Sequence, residues 1–190
     1  MKKLILPLLL ITCALTFAQD KKSLEDRAVK MGNHTINGEF DQMINYTYPK
    51  VFTLFPKEAL LESFKSMLKG DEFTITIVKA PLNFKFGEIK KIDNAYYSII
   101  HHDLVMDMAF NEPLEDDEID MMLDILKSAM KTNEVSYTKE TKTIRIKKRA
   151  EMVAISDEIS NHQWTYLNND GSPLLKKLLP EKAINELGLK

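Results

Sequence analysis

Hydrophobic spacing changes character along the chain. Leu4 to Leu15 is an apolar run broken only by Pro7, Thr12 and Cys13, with Lys2 and Lys3 before it and Thr16-Phe17-Ala18 after it. From Leu24 the spacing becomes helical: Leu24, Ala28, Met31 and Thr35 fall on one face as far as about Ile36, and Asn37-Gly38 is a stop signal. Ser23 followed by Asp26 resembles a capping box and predicts the start of that helix. A short helical segment is predicted over Asp41 to Tyr46, before Pro49. Pro56 can open a third helix, whose Leu60, Leu61, Phe64, Met67 and Leu68 make one stripe ending at Gly70.

Beyond Gly70 the period drops to two. Phe73, Ile75 and Ile77 alternate with threonines, and Leu82, Phe84 and Phe86 alternate with Asn83 and Lys85, which predicts half-buried antiparallel strands. The longest strand is expected from Ala95 to Phe110, apolar at most even positions and mixed at odd ones. Glu115 to Met130 interrupts the sheet with a helix: Ile119, Met122, Leu123, Leu126, Ala129 and Met130 share a face, acids crowd the first turn, and Lys127 and Lys131 sit near the end, where the dipole favours cations. Strand patterns resume at Val135–Lys139, Thr143–Lys148, Glu151–Ile155 and Trp164–Leu167. A last helix is expected after Pro180, closing at Gly188. Helices followed by strands that are apolar on one face predict an α+β architecture, because a parallel sheet would need strands and crossover helices to alternate throughout. The N-terminal helices are the cover expected for the sheet.

Charge and composition narrow the class. The 190 residues are 44% hydrophobic and 28% charged, with 26 basic against 28 acidic side chains. Such a chain has no excess of Lys and Arg to neutralise phosphates, so a nucleic-acid partner is not expected. The charged start, short apolar run and small residues before Gln19 fit a secretory signal peptide over residues 1–18, cut between Ala18 and Gln19. The run is too short for a membrane span, so no transmembrane segment is expected after processing. The remaining 19–190 reads as one domain, periplasmic or secreted. Cys13, the single cysteine, lies in the segment to be removed, leaving no disulfide. The alternative, a lipoprotein anchored through Cys13, would place Thr12 where Gly, Ala or Ser is usual.

The stretches Ile36-Asn37-Gly38-Glu39-Phe40-Asp41-Gln42-Met43, Tyr46-Thr47-Tyr48-Pro49-Lys50, Val153-Ala154-Ile155-Ser156-Asp157, Trp164-Thr165-Tyr166-Leu167 and Leu178-Leu179-Pro180-Glu181 resemble the nuclear transport factor 2-like superfamily, the cystatin-like cone fold. The nearest likeness is to small exported bacterial members of unknown function. The resemblance implies a curved sheet wrapped around a long helix with a conical cavity between them, and a homodimer formed through the exposed sheet face. The helix near 115–130 departs from the plain pattern, where a tight hairpin is more usual.

No nucleotide loop, zinc-protease spacing or cysteine nucleophile is present, and no cofactor or metal is expected. His101 and Asp103 share a strand face, while His102 points opposite, among Ile100, Leu104 and Met106. Strand alternation alone accounts for that arrangement. The resemblance places a short helix at the cavity mouth, which makes His34, Asp41, Tyr46, Tyr48 and His102 the pocket candidates. Ten methionines read as core filling, and the run Arg145-Ile146-Lys147-Lys148-Arg149 as a solvated strand end. The expected function is an exported, non-enzymatic domain binding a small apolar ligand or a protein partner. Two alternatives are a ketosteroid isomerase- or dehydratase-like enzyme using the Asp, His and Tyr residues of the pocket, and a structural dimerisation module.

Overall fold

Two long strands carry the molecule: β4 (Ala95–Phe110) and β6 (Thr143–Ser156) pair antiparallel from Tyr96↔Ser156 to Ala109↔Thr143. The computed structural model describes the backbone of residues 5–189 and the side chains of residues 21–189. The remaining strands flank this ladder. β1 (Phe73–Ile77), β2 (Lys85–Phe86) and β3 (Lys90–Ile92) pair in turn with β4, while β5 (Val135–Thr138) and β7 (Thr165–Asn168) pair with β6. All seven strands are antiparallel and the sheet is open, not a barrel. The α+β expectation and the helix inserted between strands both hold.

Successive side chains of a strand point to opposite faces, so the even and odd positions of β4 and β6 meet different neighbours. On the even face, the helix α1 (Ile5–Ile36) lays Leu24 and Ala28 on Ile100, Met152, Ala154, Trp164 and Tyr166. Farther along the same face α4 (Asp116–Met130) sets Leu126, with Met122, Leu123 and Met130, on Met108, Ile144 and Ile146. Glu115 caps α4 through a reciprocal box with Glu118, which satisfies first-turn amides and puts acid at the positive end of the dipole.

The odd face is covered at one end by two short C-terminal helices, of which the second is the one expected after Pro180. The short α5 (Leu174–Leu178) and the following α6 (Glu181–Leu187) place Leu175, Leu178, Ala183 and Ile184 against Tyr97, Val153, Ile155 and Leu167. The ladder is therefore sandwiched near Tyr97. Toward the other end its odd face carries cross-strand ion pairs instead: Asp103 with Arg149 at 2.7 Å and Asp107 with Arg145 at 2.6 Å.

Several boundaries differ from expectation. Ser23 and Asp26 lie inside α1 rather than at its start, because the upstream apolar run continues the helix. The expected cleavage point at Ala18 and Gln19 and the alternative anchor Cys13 fall where side chains lie outside the described residues, and Lys2 and Lys3 lie outside them altogether. The predicted strand from Leu82 shrinks to Lys85–Phe86, since Pro81 supplies no amide and Asn83 adopts φ +44°. The two strands expected at 143–148 and 151–155 are one. The helix over 41–46 is a single turn, α2 (Phe40–Met43), running into a 3-10 turn at Ile44–Tyr46.

Two glycines set the path of α1. A Cβ on Gly32 would stand 2.3 Å from the Leu82 methyl and 3.0 Å from the Phe84 ring, so glycine allows the helix to touch this crossing segment. Gly38, at φ +73°, turns the chain back into α2. No helix among the described residues is long and apolar enough to cross a membrane.

Candidate functional site

The third helix, α3 (Lys57–Met67), has a clear apolar stripe and no buried residue. An amphipathic helix ordinarily gains its stability by seating that stripe on a neighbour. Only part of this one is seated: Leu60 reaches the odd-face core and Phe64 meets Phe40 edge-on at 4.9 Å. Beyond them the chain leaves the sheet wall, and a cavity of ≈ 690 Å³ opens between the end of α3, the turn after α1, and β1. Ile36, Phe40, Leu68, Ile75, Ile77 and Val78 give it an apolar interior. Its volume is in the range of small-ligand clefts, ~300–1,000 Å³.

Lysines 65, 69 and 79 also line the cavity, with Asp107 opposite. Two of these four charges are matched elsewhere. Lys65 holds Asp41 at 2.8 Å, and Asp107 accepts two hydrogen bonds from the Arg145 guanidinium, at 2.7 and 2.6 Å. Lys69 and Lys79 have no ion-pair partner among the described residues, so the cavity carries excess positive charge.

None of the five pocket candidates lines this cavity. Asp41 touches it only through Lys65, whose hydrogen bond holds the Asp41 carboxyl below its usual range. His34 binds Glu39 through Nδ1 at 2.5 Å and lies 5.8 Å, centroid to centroid, from the Tyr46 ring, which also carries the Arg27 guanidinium on its face at 5.0 Å. Tyr48 is buried in the odd-face core and donates its hydroxyl to Asp157 at 2.6 Å; burial, then the Asp157 carboxylate, push its ionisation far upward. His34 and Tyr46 meet; the other three stand apart. The five candidates do not converge on one point: the carboxylate beside His34 and Tyr46 is that of Glu39, on the exposed side, and Asp41 is held by Lys65 instead. Nor does any group of three His, Cys, Asp or Glu side chains among the described residues have metal-binding geometry.

His102 lines a second cavity, ≈ 680 Å³, on the even face between the areas covered by α1 and α4. Lys148, Arg149, Asp170 and asparagines make that wall polar. The ring lies 5.7 Å from Phe84, and burial lowers its pKa, helped by the charges of Arg149 and Lys148. A pKa lower in the folded than in the unfolded chain gives stability that is present above about pH 6.5 and lost as the pH falls through the folded value. Stability is therefore expected to drop between pH 7 and 5 less steeply in His102→Leu than in the parent, the difference being at most about 1.4 kcal/mol per pH unit for one proton. Urea titrations at the two pH values check this; equal slopes would remove His102 as the cause.

His101 and Asp103, which share the odd face, find partners across the ladder rather than each other. His101 lies 3.4 Å from Glu151, and Asp103 accepts from Asn83 and Arg149, which lower its pKa. Leu68, Ile75 and Ile77, which line the apolar cavity, were visible in the sequence as the end of a helical stripe and as part of a strand alternation. Their pattern reads equally as core. Nothing in spacing alone shows that the two elements stand apart.

The chain matches no family model and no curated protein.

Proposed function

We propose that the protein is an exported, non-enzymatic binding domain that takes an apolar group into the cavity between α3 and β1. One observation carries this reading: Leu68, just past the end of α3, joins Ile36, Phe40, Ile75, Ile77 and Val78 around an apolar space of ligand size. Helices covering an open antiparallel sheet support placing the chain among the nuclear transport factor 2-like proteins. The covered odd face and inserted α4 set it apart from their plain form. The signal-like first 18 residues support export, and N-terminal sequencing that finds Gln19 first in the exported protein is the check.

The binding reading is tested with the neutral apolar dye Nile red. Its emission should rise on mixing with the parent protein and fall at least tenfold in amplitude with Leu68→Arg, which puts a charge into the cavity. Met121→Arg, on the exposed side of α4, should leave emission unchanged. Equal emission from the parent and the Leu68→Arg protein would refute it.

A further inference from the structure

The cavity wall formed by β1 is a sheet edge with a specific gap. From Phe73 to Ile75 that edge is occupied by the segment leaving α3: the Gly70 amide donates to the Phe73 carbonyl at 2.9 Å, and the Ile75 amide to the Leu68 carbonyl at 2.8 Å. Upstream of Leu68 the chain is coiled into α3 and can no longer follow the strand. The Val78 amide donates to the Val105 carbonyl of β4 at 2.8 Å, and Ile75 bonds away from β4. In an antiparallel ladder these directions alternate, so the amide and carbonyl of Ile77 and the carbonyl of Ile75 point outward, into the cavity. They have no partner among the described residues.

A donor between two acceptors is the hydrogen-bonding signature of a missing strand. A fatty acid or other small amphiphile could satisfy the amide, but would leave both carbonyls bare. The backbone of an extended peptide satisfies all three, while the apolar wall receives a side chain on alternate residues. Charge selects among peptides. Lys69 and Lys79 flank the open edge, so a second copy of β1 would bring lysines to lysines, whereas acidic side chains would find both.

We infer that the open edge of β1 between Ile75 and Lys79 is a strand-addition site for an extended acidic–apolar peptide segment of a partner protein. This inference rests on the binding reading above and specifies its occupant.

The probe is a capped, fluorescein-labelled peptide of alternating glutamate and valine, titrated into the full chain by anisotropy. Saturable binding is expected, with hydrogen exchange at the Ile77 amide slowed at least tenfold. Two further peptides carry N-methyl groups on the alternate amides of one strand edge or the other. The isomer methylated on the edge facing β1 should bind at least tenfold more weakly. Ile77→Pro, which removes the outward amide and no bond to β4, should weaken the parent peptide similarly. The double variant Lys69→Glu, Lys79→Glu tests charge without changing the backbone, and should favour a lysine–valine peptide instead. The inference is overturned if both methylated isomers bind within twofold of the parent peptide, or if peptide addition leaves Ile77 exchange unchanged. Nile red emission that still depends on Leu68 in that case leaves apolar binding standing and removes only the strand.

Discussion

Replacing Trp164 by alanine is expected to lower stability by about 3–5 kcal/mol, the range for emptying a large aromatic site in a packed core. Trp164 is 3% exposed and lies just before β7, where the even face meets α1. Its ring packs in the cluster of Leu24, Ala28, Ile100 and Tyr166, and its carbonyl accepts the Arg27 Nε at 2.7 Å. Beside it, the Tyr166 hydroxyl donates to the Leu24 carbonyl at 3.2 Å. Shrinking the side chain withdraws the surface on which the middle of α1 rests. Equilibrium urea unfolding measures the loss. A change under about 1 kcal/mol would mean that α1 is not seated on this face.

The second large effect belongs to the C-terminal layer. Leu178→Ala is expected to cost about 2–5 kcal/mol, since Leu178 is 1% exposed within the odd-face core. Its carbonyl also receives the Lys50 ammonium at 2.8 Å, which ties α5 to the 3-10 segment Pro49–Thr53. Lys177→Ala, on the exposed side of the same short helix, should stay within about 0.5 kcal/mol. Equal midpoints for Leu178→Ala and the parent would show that the C-terminal helices contribute little to stability.

Legibility from sequence followed periodicity. The span of β4 was readable because most even positions from Tyr96 to Phe110 are apolar while the charges fall at odd ones, and α4 because its stripe, first-turn acids and closing lysines agree. The five residues of α5 were not, since one turn and a half contains too few positions to establish a period. The join between the two predicted halves of β6 was hidden by Lys148-Arg149-Ala150. A polar, small stretch reads as a loop until a partner strand supplies hydrogen bonds. The pocket candidates carry a chemical mark in their side chains, but their placement depends on contacts far apart in sequence: Tyr48 meets Asp157, and Asp41 meets Lys65. The cavity residues lacked any chemical mark. Leucine and isoleucine lining a space look the same in sequence as leucine and isoleucine filling one.

The ion pairs along the odd face bear on how β4 finds β6. A slip of one residue would turn one strand over relative to the other, sending either Asp103 and Asp107 or Arg145 and Arg149 toward the apolar side, a mistake the hydrophobic pattern alone forbids. A slip of two preserves the faces, so hydrophobicity cannot detect it. In one direction that slip sets Asp103 against Glu151 and leaves only Asp107 paired, with Lys147; in the other it brings His101 opposite Arg149, pairs Asp103 with Lys147 and strands Asp107 beside Thr143, so either slip keeps one ion pair of the native two. Charge thus discriminates between alignments that oil and water would treat as equal.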